Sequence, residues 1–449
     1  MKHSLTPEST AQIRSSLSQA NQAFTKAFPG ASYQRQAVHT VYGGAQLFNS
    51  QTAQKMCGTA LRSIEEYAPS AGALARVLGQ SDHTLWSEVF SRVISKLKRE
   101  AVEDFRIDFE DGYGNRPDAE EDGHAESTAL EVAQGMKEGS LPPFIGIRIK
   151  PFSEECVARS VRTLDIFLTT LVQATGGKLP SGFVVTLPKI THEEQSRALT
   201  ELLKAIESKN GMPTGTIKFE LMVETTQSIL DVEGRVPLRA FVEAGEGRCV
   251  GAHFGTYDYT AGCGITAAFQ TMANPVCDFA KHVMQVSLAG TEVMLSDGAT
   301  NIMPVGPHRA PAGGSLTPQQ KAENQAVVHR AWKLSYDHIR HSLETGYYQG
   351  WDLHPGQLPI RYAAVYAFFL ESLAPASHRL KSFVEKAAKA TLLGDVFDDA
   401  ATGQGLLNFF LKGIACGAIT EDEARATGLS LDEIRGRSFL KIVEGRARG

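Results

Sequence analysis

Residues 182–225, GFVVTLPKITHEEQSRALTELLKAIESKNGMPTGTIKFELMVET, read as a strand, a helix and a second strand. Gly182–Leu187 is a short apolar run closed by Pro188, Thr191–Lys209 carries good helix formers at helical spacing, and Ile217–Val223 is mostly apolar again. One βα unit leading directly into the next strand implies a sheet with helices packed against it.

Working outward, the same alternation recurs along the chain. The candidate strands are Gln36–Tyr42, Asp104–Phe109, Phe144–Ile149, Gly182–Leu187, Ile217–Val223, Arg248–Phe254, Glu292–Ser296 and Gly350–Leu353, with helical stretches such as Gln319–Thr345 between them. Eight such strands predict an α/β fold, a (β/α)8 TIM barrel, which takes about 250 residues or more when it carries insertions. The barrel is expected over residues 36–360, after an N-terminal helical segment at 1–35 and before a C-terminal helical extension at 361–449. Candidate helices of that extension are Arg361–Leu373, Ser377–Lys389 and Gln404–Ile414, and residues 50–103 add helices to the first crossover. Asp118, Glu120, Glu121 and Asp122 fall in the glycine-flanked stretch Gly112–Glu126, which predicts a solvated acidic loop.

Composition excludes several function classes. Hydrophobic residues at 42% and charged residues at 21% are ordinary for a packed enzyme-sized protein. The net charge of -5 arises from 45 basic and 50 acidic residues that are well interspersed, so no basic face for nucleic acid or an acidic membrane is announced. Six cysteines without a Cys-x-x-Cys pair predict buried, reduced thiols rather than a zinc knuckle or disulfide framework. No apolar secretion core follows Met1, and no run approaches the ~18 apolar residues of a membrane helix, so a cytoplasmic protein is expected.

Barrel enzymes work at the C-terminal ends of their strands, where all eight loops converge. The predicted ends carry His39 and Tyr42, Asp108, Glu110 and Asp111, Arg148, Lys189, Glu224, Asp258, Asp297 and His354. Glu224 leaves a mostly buried strand as a carboxylate, and Asp258 follows the next strand. Two such carboxylates, completed by water and a keto acid, suit Mg²⁺, with Mn²⁺ as its substitute; structural ion pairing is the other reading. Glu110 and Asp111 could hold metal-bound water or accept a proton, or belong to an ordinary acidic loop. Arg148 sits within an apolar strand and needs an anion, either a substrate carboxylate held by its planar fork or an acid of the chain. Lys189 could form a Schiff base with a carbonyl, but nearby acids favour a protonated, charge-neutralising amine. His354 precedes a proline-fixed turn and is catalytic or structural. His338 and His341, three apart on a helix, read as surface residues rather than a zinc site.

In order, Asp-Phe-Glu-Asp at 108–111, Gly-Ile-Arg-Ile at 146–149, Leu-Pro-Lys at 187–189, Met-Val-Glu-Thr at 222–225, Gly-Thr-Tyr-Asp at 255–258 and His-Pro-Gly-Gln at 354–357 resemble the HpcH/HpaI aldolase, citrate lyase β-subunit-like superfamily, whose framework malate synthases share. The resemblance spans roughly residues 36–360. It implies Mg²⁺ on Glu224 and Asp258, a substrate carboxylate on Arg148, and Glu110 and Asp111 beside metal and substrate. It also implies a Mg-dependent carbon–carbon lyase, aldolase or citrate lyase-like, acting on a keto acid, hydroxy acid or acyl-CoA through a stabilised enolate. The alternative is a malate synthase-like acyl-CoA condensing enzyme. His39, Tyr42 and Lys189 complete the expected substrate contacts, and the expected assembly is a homo-oligomer.

Two further classes compete. A glycoside hydrolase would use Glu110 and Glu224 as acid and base but wants aromatic platforms, and only 3 tryptophans occur. A non-catalytic ligand-binding barrel would not need so many acids. A last expectation concerns Asp398 and Asp399, which precede an apolar helix: either the C-terminal helices close over the barrel mouth and one of these acids acts as base, or both cap the helix.

Overall fold

The computed structural model describes residues 4–447 apart from 31, 33, 312, 386–390, 394, 395 and 399. Strands β1 His39–Gly44, β2 Asp104–Asp108, β3 Phe144–Arg148, β4 Val184–Leu187, β5 Lys218–Val223, β6 Cys249–Phe254, β7 Met294–Ala299 and β8 Gln349–Asp352 close into one parallel barrel in sequence order. This is the predicted (β/α)8 architecture with helical extensions. Pairing sets Asp108 opposite Arg148 and Val223 opposite Phe254, so Glu224 and Gly255 leave neighbouring strands at the same level.

Helices flank the strands in order. α1 Pro7–Ala27 precedes β1; α2 Thr52–Tyr67, α3 Ala71–Val77 and α4 His83–Glu100 fill the first crossover. α5 Asp118–Glu138, α6 Val157–Thr175, α7 Glu193–Lys209, α8 Leu238–Glu243, α9 Thr256–Gly262, α10 Pro275–Leu288 and α11 Pro318–Glu344 follow, and α12 Leu358–Glu385 leads out of the barrel. Beyond it come a two-stranded ribbon, β9 Thr391–Leu393 with β10 Val396–Asp398, and α13 Ala400–Ala415, α14 Glu421–Arg425, α15 Leu431–Arg435 and α16 Phe439–Ala447.

Strand alternation sorts β2 into two faces. Phe105 packs outward against Phe48, while Arg106 reaches across the lumen. Its Nε and Nη2 donate to Glu220 at 2.7 and 2.9 Å, and its Nη1 donates to Asp104. Thr186 donates to Glu220 at 2.5 Å, and Thr40 donates to Asp104 at 2.9 Å. Trp351 Nε1 donates to His253 Nδ1 at 3.0 Å, which leaves the ring proton on Nε2 to be donated to Glu220, also at 3.0 Å. The lumen therefore holds a charged network where barrels of this type more often stack Val, Ile and Leu.

Several expectations are corrected. The acidic stretch is not a loop beyond residue 117: Asp118, Glu120 and Glu121 occupy the first turn of α5, where carboxylates complement the exposed amide dipoles. Glu121 is buried there, accepting from Lys150 Nζ at 2.7 Å. His338 is buried, not on the surface, and meets Thr271 at 3.1 Å and Thr300 at 2.9 Å. Cys263 is exposed, unlike the buried thiols expected. The two helices expected from 361 to 389 are one, running through Pro375 and beginning early enough to place Pro359 in its first turn, where a missing N–H costs little.

The C-terminal extension corrects the lid expectation. With 28 residues, α12 is about 42 Å long and carries the chain away from the mouth. Gln36 N, ahead of β1, donates to Ala415 O of α13 at 3.0 Å, and Asn408, Leu411 and Lys412 face Met294 and Tyr348 at the starts of β7 and β8. The second half of α13 thus docks under the N-terminal end of the barrel, opposite the mouth. Asp399 lies outside the described residues, as does the side chain of Asp398. Among the described residues, no helix is long and apolar enough to cross a membrane.

Candidate active site

At the barrel mouth a buried arginine is surrounded by acids. Arg148 Nε and Nη2 donate to the two oxygens of Asp108 at 2.7 and 2.5 Å, a bidentate pair set by their opposed positions in β2 and β3. Asp108 also accepts from Glu110 N at 3.0 Å and Gly112 N at 2.7 Å, so it shapes the following turn. A side chain at Gly112 would collide, because its Cβ would stand 2.5 Å from Asp108 Oδ2. The guanidinium lies 4.8 Å from the centre of the Tyr42 ring, and Tyr42 packs on Trp351 at 4.7 Å. Arg148 Nη1 remains, 3.0 Å from Glu110 Oε2, an oxygen for which this geometry makes no hydrogen bond.

Lys189 joins the second half of the site. It follows β4 with φ of 51°, a left-handed conformation that is uncommon outside glycine. Its backbone N–H donates to Glu224 Oε1 at 2.8 Å, while its ammonium contacts Glu110, Asp111 at 3.2 Å and Asp258 at 3.7 Å. Glu224 is buried and has space because its neighbour is Gly255, whose Cβ would stand 2.4 Å from that of Glu224. Asp258 sits half-exposed in the first turn of α9. Beside Lys189 the mouth opens into a groove of about 580 Å³ lined by Phe152, Glu154, His192 and Gln195.

Electrostatics set the character of the cluster. Among the described residues Asp108, Glu110, Asp111, Glu224 and Asp258 face only the cations Arg148 and Lys189, which leaves three negative charges in excess if all are ionised. Burial, reinforced by Glu110 and Asp258 against the pull of Lys189 and Arg148, pushes Glu224 up to about 8. Burial also raises Glu110 despite Arg148 and Lys189. At Lys189 burial favours the neutral amine, but Glu224, Glu110 and Asp111 outweigh it and raise its pKa. A Schiff base needs that amine neutral. Incubation with a keto acid and borohydride is therefore expected to leave the chain's mass unchanged, and an adduct on Lys189 would contradict this electrostatic picture.

The structure brings together Tyr42, Glu110, Asp111, Arg148, Lys189, Glu224 and Asp258. It does not bring His39 to them. His39 opens β1 with no exposed surface, accepts from Glu103 N at 3.1 Å and meets the Tyr362 ring edge-on at 5.6 Å, on the helix side of the strand. Its expected contact with substrate is corrected accordingly. Asp297 also turns outward, to Lys281 at 2.9 Å and Ser342 at 2.6 Å. His354 Nδ1 accepts from Gly356 N at 3.0 Å and caps the turn after β8. Sequence reading missed Asp108 as the partner of Arg148 and the lumen network of Arg106, Glu220 and His253. The charges at alternate positions 104, 106 and 108 were the signal for both.

Fold and site together define a (β/α)8-barrel protein with a carboxylate-rich mouth. The chain belongs to the family described as Domain of unknown function (DUF6986), which matches residues 17–442. No curated protein matches it. Among solved structures it is similar in fold to a citrate lyase from Burkholderia xenovorans LB400, with 17% identity and a TM-score of 0.57 over 88% of this chain and 98% of that one. A malate synthase from Haloferax volcanii gives 13% identity and a TM-score of 0.47 over 93% and 99%. CitE from Mycobacterium tuberculosis, in complex with magnesium, acetoacetate and coenzyme A, gives 14% and 0.46 over 86% and 100%.

Proposed function

We propose that this chain is a divalent-cation-dependent carbon–carbon lyase of the citrate lyase kind, acting on a keto acid or hydroxy acid, free or as an acyl-CoA thioester. The observation that carries this reading is the excess of carboxylates at the mouth, with Glu224 and Asp258 leaving adjacent strands beside Arg148 and Lys189. Among the described residues no three acids, histidines or cysteines converge as a closed metal cage. Two carboxylates nevertheless fit Mg²⁺, which keeps several waters and substrate oxygens in its shell. The buried Glu224 oxygens also fit, because burial and the neighbouring acids leave that carboxylate short of positive charge. Glu224 and Asp258 would hold the ion, which when bound supplies Lewis-acid polarisation of a carbonyl oxygen.

The chain's own groups divide the remaining work. Glu110 bridges Arg148 Nη1 and the Lys189 ammonium, the place a substrate carboxylate would take, and those two cations then bind and orient the substrate. Because Asp108 occupies Nε and Nη2, Arg148 offers a substrate one nitrogen and not its full fork. Glu110, with a raised pKa and Oε2 lacking a hydrogen bond, accepts the proton that the substrate's hydroxyl gives up as the carbon–carbon bond breaks and the hydroxyl becomes a carbonyl. Asp111 is exposed beside Lys189 and keeps that amine charged. A glycan site is disfavoured, since Trp86 and Trp332 are buried and Trp351 is tied to His253 inside the barrel.

The test is a panel of keto acids, hydroxy acids and acyl-CoA thioesters assayed for Mg²⁺-dependent gain or loss of pyruvate, glyoxylate or acetyl units. Unchanged carbon skeletons across that panel would overturn the assignment. Metal binding has its own signature. Glu224 is raised in the folded chain, so the stability linked to its protonated form is complete below the usual carboxylate value of 4.5 and is lost as pH rises towards about 8. A cation needs the ionised form, so the increase in melting temperature caused by Mg²⁺ should grow from about pH 6 to about pH 8. A pH-independent increase would place the ion elsewhere.

A further inference from the structure

The opposite end of the barrel holds a second cavity. It measures about 390 Å³ and lies between α13 and the starts of β1, β7 and β8. Lys412, half-buried on α13, extends its ammonium to 5.4 Å from the centre of the Tyr348 ring, and both residues line the space. Among the described residues Lys412 has no carboxylate partner, although Glu292 lines the same cavity. Glu292 is engaged by Arg437 Nη1 at 3.2 Å. Burial pushes the Lys412 pKa down, as it does for a cation held without a counter-ion.

The surrounding polar groups are unevenly satisfied. Asn408, one helical turn before Lys412, accepts from Gln404 at 3.0 Å through Oδ1, which leaves its NH₂ to donate into the cavity. The Tyr348 hydroxyl makes no hydrogen bond among the described residues. Gln285 donates to Thr345 O at 2.6 Å, and Gln36 donates to Leu295 O at 3.2 Å and to Gln349 Oε1 at 3.4 Å, so among the described residues the carbonyl oxygen of each accepts no hydrogen bond. One unbalanced cation and two neutral donors face two acceptors in a partly open cleft of ligand size.

We propose that this cavity is a binding site for a small organic anion, a carboxylate or phosphate carrying a hydroxyl group, held by Lys412, Asn408 and Tyr348, with the carbonyl oxygen of either Gln36 or Gln285 accepting the hydroxyl's one proton. It is separate from the mouth, and its ligand ties the C-terminal helices to the barrel floor. The assignment does not depend on the lyase reading.

Titration calorimetry of the full chain in chelator-treated buffer, with glycerol 3-phosphate in one series and 3-hydroxybutyrate in another, distinguishes the phosphate and carboxylate sources. One anion is expected to bind per chain at this cavity and to raise the melting temperature, and any 3-hydroxybutyrate held at the mouth is a separate event that Lys189→Met removes. Lys412→Met should weaken binding by about tenfold or more, the usual effect of deleting a charged hydrogen bond, without lowering the melting temperature of the free protein. Tyr348→Phe, which removes one hydroxyl, should weaken binding several-fold in a chain whose fold is unaltered. Lys189→Met, at the other end of the barrel, should retain the same affinity. The proposal is overturned if neither anion binds, if Lys412→Met and Tyr348→Phe both bind as the parent does, or if binding disappears with Lys189→Met.

Discussion

Glu224→Gln is expected to lower turnover by on the order of 10²–10³-fold while leaving the barrel folded, an effect comparable to deleting one electrostatic contact at a reacting oxygen. Shape is conserved and the hydrogen bond from Lys189 N to Oε1 can persist, so positioning of the β4 loop should survive. What disappears is the negative charge that the surrounding acids and burial make costly. The free variant should therefore melt no lower than the parent above about pH 8, where the parent carries most of that charge, and it should lose most of its response to Mg²⁺. Melting curves with and without the ion, read beside the product assay, separate the two effects. Full turnover in the variant, or a large drop in melting temperature without metal, would mean that Glu224 is a structural group and that the cation sits elsewhere.

Arg106→Met is expected to cost about 3–5 kcal/mol of stability, the usual result of removing one partner from a buried charge group. Arg106 is enclosed by Asp104 and Glu220, all three buried within the lumen. Burial alone would raise Glu220, and it is Arg106 and His253 that hold it well below the usual carboxylate range. Without the guanidinium, Glu220 retains Thr186 and His253, while Asp104 retains Thr40. Those bonds do not balance two carboxylates. Urea unfolding should show a lower midpoint at an unchanged slope, and Glu220→Gln in the Arg106→Met background should recover part of the loss. A loss below about 1 kcal/mol would show that water enters the lumen and screens these charges.

Eight strands were legible because the helix-facing side of each parallel strand is apolar and stands out as a short run between helical spacings, even where β2, β5 and β6 turn charged or polar groups to the lumen. The clearest, β3 to β6, begin and end within two residues of their predicted limits, whereas β7 is displaced because Asp297-Gly298-Ala299 continues a strand that was expected to stop at Ser296. Glu224 and Asp258 could be placed on neighbouring strand ends since sequence order and strand order coincide in a closed barrel. Sequence alone likewise put Arg148, Lys189, Glu110 and Asp111 near one mouth.

Which way each side chain turns was decided only in three dimensions. His39 and Tyr42 are three residues apart in β1, an odd separation that sends them to opposite faces, so one meets α12 and the other supports Arg148. Asp108 rather than Glu110 or Asp111 takes the arginine fork, because the β2–β3 register places it directly across. The C-terminal helices go under the barrel because α12 is long and continuous, and a helix running through Pro375 could not be told from two shorter ones by periodicity. Local pattern thus determined the strands, their order and the chemistry available at their ends. Register, strand facing and helix length, which depend on contacts far apart in sequence, decided which of those groups meet.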